Sequence, residues 1–381
     1  GYISSWELTL PHGVNLEISA VVDDKIVEKR TLPALPVHAE LSTLEEVPRH
    51  NPTPPESADL TWRAGALPYT HAILAGHSYQ DRPILALELT YPSRASQRKL
   101  ALWKPTILIT ARQHANEISS TNAALETARN LATTEHEYLK YMNVILVPME
   151  NPDGAYLYSK LAKQNPKHLL HAARYTALGA DMQTAIWQTD HPLTEGRVRR
   201  SLWSKWRPLV HVNDHGYAGH EWQQPFAGTV PYLFPGWSLP MGAVTIMMHT
   251  PSYEDLAQRF EHTIASVFND LEPDIAIETS KALQQWKRYV GSSSAHVISG
   301  LPFLEIVNEK DVESMVFSQR HPSITHLTVV TELPDEGVDP EQLARCIRAH
   351  RAQHEGVIRA VLAELKRQGK QVDLQGLQLF L

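Results

Sequence analysis

The sequence predicts an α/β fold: a central mixed, mostly parallel sheet flanked by helices on both faces, with a small N-terminal β module. Three observations carry this. Short continuous apolar runs such as Thr106-Ile107-Leu108-Ile109-Thr110 and Val144-Ile145-Leu146-Val147 read as strands covered on both faces. Stretches with apolar residues at helical spacing separate such runs, so strands and helices alternate. Residues 1–57 have a different texture, with apolar residues at every second position and frequent prolines.

Within 1–57, Trp6, Leu8 and Leu10 alternate with polar residues, as do Val14, Leu16 and Ile18, which suggests short strands. Asn51-Pro52-Thr53-Pro54-Pro55 reads as a stiff linker. The expected division is a β-rich module over 1–57 and a main domain over 58–381. In the main domain strands are expected at 84–89, 106–110, 144–149, 209–213 and 326–331, with a helix over 118–132. Two more helices are expected at 253–269 and 274–289, the first with Tyr253, Leu256, Ala257, Phe260, Ile264 and Val267 on one stripe. The last helix has the clearest start: Asp339 suits the N-cap, Pro340 the first helical position, and Gln342 the far side of a capping box. Leu343, Ile347, Ile358, Val361, Leu362 and Leu365 form its apolar face, and Gly369 is its stop signal.

Composition narrows the function. The 381 residues are 43% hydrophobic and 20% charged, ordinary for a globular protein. A single cysteine, Cys346, excludes an intramolecular disulfide, Cys-rich zinc modules and iron–sulfur clusters, so a metal site would use His, Asp and Glu. The net charge of -7 and the lack of a long basic run argue against nucleic acid as a partner. The densest basic stretch, Arg197, Arg199, Arg200, Lys205 and Arg207, reads as a solvated helix face. No apolar stretch approaches the ~20 residues of a membrane span. The chain opens on Gly1 without a signal-peptide pattern, which reads as a processed or clipped start and, for location, as cytoplasmic.

Four strand ends carry candidate chemistry. His114-Ala115-Asn116-Glu117 follows one buried strand and opens a helix; in open α/β sheets ligands gather at such carboxyl ends. A His and a Glu three apart can share one metal ion there, or serve as a turn histidine and a capping glutamate. Asn151-Pro152-Asp153-Gly154 follows the next strand, as a functional corner or as an ordinary tight turn. Val212-Asn213-Asp214-His215-Gly216-Tyr217 ends another apolar run, so His215 could be a third ligand or a histidine satisfied by Asp214, with His211 and His220 as competitors. Thr331-Glu332-Leu333-Pro334 ends the last run, where Glu332 could be a general base or an exposed strand-end residue; Glu221, Glu305 and Glu309 compete for the role.

Taken together, these corners resemble the M14-type zinc carboxypeptidases, which show H-x-x-E, then N-P-D-G, then a third His after an apolar strand, then a late Glu. The segment Gly76-His77-Ser78-Tyr79-Gln80-Asp81-Arg82-Pro83-Ile84 is similar to the family's G-x-S-x-x-G-R-x-I, so the resemblance runs from there to the final helix. It implies His114, Glu117 and His215 as ligands of one Zn2+ per chain and Glu332 as catalytic base. It implies that Tyr217, after a cis peptide, and Asn151 contact substrate, and that Asp181 in Gly179-Ala180-Asp181 bonds His114.

Two departures stand out. The family's Asn-Arg clamp for a substrate carboxylate is replaced by Gln183-Thr184, and neither residue supplies a charge. The Arg that polarises the scissile carbonyl has no plain match, and Arg174 is the best substitute. His220-Glu221-Trp222 could belong to the pocket rim or simply pack in a loop. The leading expectation is a zinc hydrolase cleaving a peptide or peptide-like amide. The alternatives are a zinc deacylase of N-acyl amino acids, of the aspartoacylase and succinylglutamate desuccinylase kind, and a non-catalytic binding protein on the same scaffold. The sequence leaves the oligomeric state open.

Overall fold

A computed structural model describes residues 16–22, 25–32, 42–93, 95–166, 171–186, 191–218, 242–289, 295–308, 317–336 and 339–369. Two compact units divide between Ser42 and Thr43. In the first, β1 (Leu16–Val22) and β2 (Lys25–Leu32) pair antiparallel. Residues 1–15, where Trp6, Leu8, Leu10 and Val14 suggested a further strand, lie outside the described residues.

The second unit begins before the 57/58 division expected from the prolines. Pro54 and Pro55 do not form a linker; they open α1 (Pro54–Gly65). The missing N–H and fixed φ of proline suit a helix's first turn, where those N–H groups have no helical partner. In chain order there follow β3 (Thr70–His77), β4 (Pro83–Leu89), α2 (Gln97–Trp103), β5 (Thr106–Thr110), α3 (Ser120–Thr133), β6 (Asn143–Val147), α4 (Pro152–Gln164), α5 (Met182–Ile186), α6 (Glu195–Trp206) and β7 (Val210–Ala218). Then come β8 (Val244–His249), α7 (Glu254–Leu271), α8 (Pro273–Tyr289), β9 (His296–Ile298), β10 (Leu301–Val307), β11 (Leu327–Glu336) and α9 (Pro340–Arg367). No helix among the described residues is long and apolar enough to cross a membrane.

Nine strands form one mixed sheet in the order β3-β4-β6-β5-β7-β11-β8-β10-β9. The expected parallel character is confined mainly to the centre, where β6, β5, β7 and β11 run together; β8 with β10 is parallel, and the remaining pairs are antiparallel. Side chains alternate between the faces. Ile107, Ile109, Val144, Leu146, Val210, Val212, Val329 and Leu333 join a core with α1, α3, α7 and α9. Ala86, Leu108, Ile145 and Val147 meet Leu100, Met182, Ile186, Val198, Leu202, Trp203 and Trp206 from α2, α5 and α6 on the other face. Because the central strands are parallel, their carboxyl ends, and the corners that follow them, lie at one edge of the sheet.

The N-cap of α9 is Asp339, whose carboxylate accepts from the Gln342 backbone N–H. The reciprocal half of the capping box is absent, since the Gln342 amide turns to Cys346 Sγ at 3.7 Å. Gly369 sits at φ 63° just past the helix, a conformation glycine adopts without strain.

Candidate metal centre

The chain turns sharply after β5. Arg112 adopts φ 60°, and its buried guanidinium donates to Ala115 O at 2.7 Å and to Asn51 Oδ1 at 2.8 Å. The turn brings His114 and Glu117 onto the sheet edge, 4% and 1% exposed. Gly154 of the neighbouring corner packs against this turn. A Cβ there would lie 2.7 Å from Asn151 Nδ2 and 2.8 Å from Ala115 Cβ, which explains the glycine. Asp153 receives Ser78 Oγ at 2.6 Å, the Gln80 N–H at 2.9 Å and Arg82 Nη1 at 2.6 Å, so the G-x-S-x-x-x-R stretch braces the same corner.

Alternation along β7 sends Asn213 and His215 to the face of Thr110, opposite Val212 and Asp214. His215 Nδ1 comes within 2.9 Å of His114 Nδ1 and 3.1 Å of Glu117 Oε2, and His114 Nδ1 within 2.8 Å of Glu117 Oε1. Among the described residues this is the group of His, Cys, Asp or Glu whose ligand atoms all lie within 4.8 Å of one another, and it could hold a metal ion. Ligands around tetrahedral Zn2+ at 2.0–2.1 Å would be roughly 3.3 Å apart. The observed separations and the two-nitrogen, one-carboxylate donor set fit that ion. Two Nδ1 atoms this close cannot both carry a proton, so at least one offers a lone pair.

Charge is shared unevenly here. Burial alone would raise the Glu117 carboxyl, but His114 and His215 outweigh it and hold the group well below the usual carboxylate range. Burial lowers His215. It would lower His114 too, but Glu117 and Asp181 overcome it and raise that imidazole. Asp181 Oδ2 lies 3.1 Å from His114 Nε2, the expected contact. Despite burial, that bond keeps Asp181 far below its ordinary value. Arg174 Nη1 donates to Glu117 Oε1 at 2.7 Å, with the arginine side chain 32% exposed.

Glu332 is the register partner of His215 across the parallel β11–β7 ladder, so both point to the same sheet face; it is partly buried. The other candidates are occupied differently. Asn151 is fully buried: its Oδ1 accepts from the Gly154 N–H at 2.9 Å, and its amide donates to the carbonyls of Gln113 and Tyr175. It thus braces the turn through the backbone. The Tyr217 hydroxyl donates to Gly242 O at 2.6 Å, and the ring packs with Val244 and Leu283. No cis peptide precedes Tyr217, correcting that expectation. The β7 ladder continues through this peptide to Ala218, where the trans form of a non-proline bond is favoured by about 3 kcal/mol. His211 is wedged between Thr110 Oγ1 and Ser318 Oγ, and burial holds its imidazole well below the ordinary value. Asp214 pairs with His354 on the opposite face rather than with His215. Glu305 pairs with His249, while His220, Glu221, Trp222 and Glu309 lie outside the described residues.

The structure adds residues that the sequence reading missed. Arg199 is 1% exposed, so the basic stretch is not wholly a solvated face. It pairs with buried Glu150 and donates to Gln113 Oε1 at 2.8 Å, Gln183 Oε1 at 3.2 Å and Asn213 Oδ1 at 3.3 Å. Asn213 in turn places Nδ2 2.7 Å from His215 Nε2. Gln183 Oε1 thus accepts from a buried guanidinium. Arg199 shares a helical stripe with Leu202, Trp203 and Trp206, and that phase was the available signal.

The mixed α/β sheet brings two histidines and a glutamate together at its parallel strand ends, a group that could hold a metal ion. The family model for zinc carboxypeptidase (peptidase M14) matches residues 68–197, which include His114, Glu117, Asn151, Arg174 and Asp181. Among solved structures, the metallo-carboxypeptidase of Burkholderia cenocepacia is 15% identical at a TM-score of 0.53, covering 81% of this chain and 69% of that one. A proposed carboxypeptidase A from Shewanella denitrificans is 14% identical at a TM-score of 0.50, covering 90% and 77%. A proposed carboxypeptidase from Burkholderia mallei is 13% identical at a TM-score of 0.50, covering 81% and 68%. No curated protein matches. Residues 68–197 thus match the zinc carboxypeptidase family model, and the chain shares its fold with metallo-carboxypeptidases.

Proposed function

We propose that the chain is a zinc-dependent hydrolase of the M14 carboxypeptidase type that cleaves a peptide or peptide-like amide bond. The observation that carries this is the convergence of His114 Nδ1, Glu117 and His215 Nδ1, with Glu332 in register beside His215. His114, Glu117 and His215 would hold the ion, one per chain. When bound, Zn2+ polarises the amide carbonyl and acidifies water.

The protein's own groups do the rest. Asp181 fixes the His114 ring from Nε2, leaving Nδ1 to the ion. The Glu332 carboxylate takes a proton from the attacking water as its oxygen bonds to the carbonyl carbon. It delivers that proton to the amine nitrogen as the C–N bond breaks. Arg174 brings positive charge beside the ligand carboxylate, a charge that would stabilise an oxyanion formed there. Asn151 shapes the corner, and Tyr217 stands two residues past His215 on the same strand. With Gln183 facing Arg199, the substrate's end is not recognised by a clamp of the family's usual form. That observation keeps the deacylase of N-acyl amino acids as a second reading.

The test is Glu332→Gln, assayed on peptides with free and amidated C-termini and on N-acyl amino acids. Metal content should stay at one zinc while turnover on the preferred peptide falls by about a thousandfold or more, in the range of lost proton transfer. Full turnover in the variant places the base elsewhere. Cleavage of N-acyl amino acids alone selects the deacylase, and no turnover by the wild-type zinc protein on any of them selects the binding protein.

A further inference from the structure

Three chain segments must meet for the centre to form: the turn with Glu117, the strand with His215 and the strand with Glu332. One buried side chain touches or belongs to all three. Just past Glu332 the β11–β7 register is irregular between Leu333 and Glu336, and Asp335 lies in that irregularity. Such bulges re-aim side chains, and they recur beside active sites. Asp335 is fully buried. Its Oδ2 accepts the backbone N–H of Ser119 at 2.8 Å and the Ser119 hydroxyl at 2.6 Å. Ser119 is two residues past Glu117 and is the N-cap of α3, yet its side chain makes no cap of its own. The Asp335 carboxylate caps that helix from across the sheet edge, where the helix dipole favours an anion. Its other oxygen rests on Gly216, the residue after His215. A Cβ at Gly216 would lie 2.0 Å from Asp335 Oδ1 and 3.0 Å from Leu333 O, so only glycine admits this approach.

We infer that Asp335 is the positioning residue that locks the segments bearing Glu117, His215 and Glu332 into one register. The inference rests on the metal-centre reading above and extends it to a residue that touches neither ion nor substrate. Its arrangement is costly for the fold alone. Oδ1 has no hydrogen-bond partner, and burial pushes the carboxyl up to about 7 against the pull of Ser119. A side chain kept at that cost, with the glycine it requires, is explained by the geometry it imposes.

The test reads the metal and not only turnover. Cobalt(II) is titrated into metal-stripped wild-type protein and the Asp335→Ala, Asp335→Asn and Ser119→Ala variants, following the visible absorption bands. Asp335→Ala should weaken cobalt affinity about 10- to 100-fold, as for other residues that support metal ligands from behind. Its kcat on the zinc protein should fall while KM stays unchanged. Asp335→Asn keeps an acceptor for Ser119 and should restore affinity to within about threefold of wild type. Where Asp335→Ala does not fold, Ser119→Ala decides, with an expected loss of about tenfold. Folded variants with wild-type affinity, cobalt spectrum and kcat overturn the positioning role while leaving the metal centre intact. A wild-type protein that binds no cobalt or zinc fails the underlying reading and this one with it.

Discussion

Two histidine–carboxylate clusters sit back to back across β7. On one face His114, Glu117 and His215 converge; on the other Asp214 meets His354 and Thr331. Both are buried, and Asp214 and His215 are consecutive residues, sent to opposite faces by strand alternation. They differ in what their lone pairs meet. Asp214 accepts from Thr331 Oγ1 at 2.9 Å and from His354 Nε2 at 2.9 and 3.0 Å, while His354 Nδ1 is bound to Thr127 Oγ1. That cluster is closed by internal donors and pins α9 to the sheet. The other brings three ligand atoms together, around a carboxyl that the two histidines hold well below the usual carboxylate range. Burial and pairing are common to both; convergence of ligand atoms is what marks the candidate metal centre.

The largest effect should come from breaking the convergent side. His215→Ala should take bound zinc from one equivalent to none, measured by metal analysis after dialysis, with little change in thermal unfolding of the metal-free protein. Zinc retained at one equivalent would mean that the closed cluster, or another group, holds the ion, and the contrast would collapse. Breaking the closed side should do the reverse. His354→Leu leaves the Asp214 carboxylate buried with Thr331 as its remaining close donor, which should cost about 3–5 kcal/mol in denaturant unfolding. Zinc stoichiometry should remain one. A loss under about 1 kcal/mol, or loss of metal, would show that this cluster is not a structural pin.

How much of this was legible in the sequence follows the range of each interaction. The gathering of His114, Glu117, His215 and Glu332 was readable because their corners follow apolar runs, and strand ends in a parallel sheet gather at one edge. The start of α9 was readable because an N-cap is local, but the Gln342 arm was not, since Cys346 one turn on offered it another partner. Pro54 and Pro55 misled because proline serves a linker and a helix start equally well. Arg199 was hidden in a charged run, since its partner Glu150 lies 49 residues away and only the fold brings them together. Asp335 is the extreme case. It stands three residues from Glu332, but its role depends on Ser119, 216 residues distant, and on an atom that Gly216 lacks.

The smallest effect concerns pH and tests whether the closed cluster is neutral where it is not bound to Asp214. His350 lies one turn before His354 on α9, and its Nδ1 sits 2.7 Å from Thr331 Oγ1. Thr331 donates its proton to Asp214, so His350 Nδ1–H must be the donor and Nε2 holds a lone pair. That Nε2 is buried without a partner. Burial pulls the imidazole from 6.5 down to about 4; the Asp214 charge 3.9 Å away and more distant Glu117 oppose this, and His354 and His215 reinforce it. The folded-state value is depressed, so the unfolded chain takes up the proton first. His350 therefore contributes stability above pH 6.5 that is lost as pH falls toward 4, by up to about 3 kcal/mol. Denaturant unfolding at steps from pH 7 to 4 should show wild type losing about that much more than His350→Gln. Equal slopes would mean that His350 is already charged in the folded protein. The closed cluster would then hold a buried cation beside Asp214, and the two faces of β7 would differ in geometry alone.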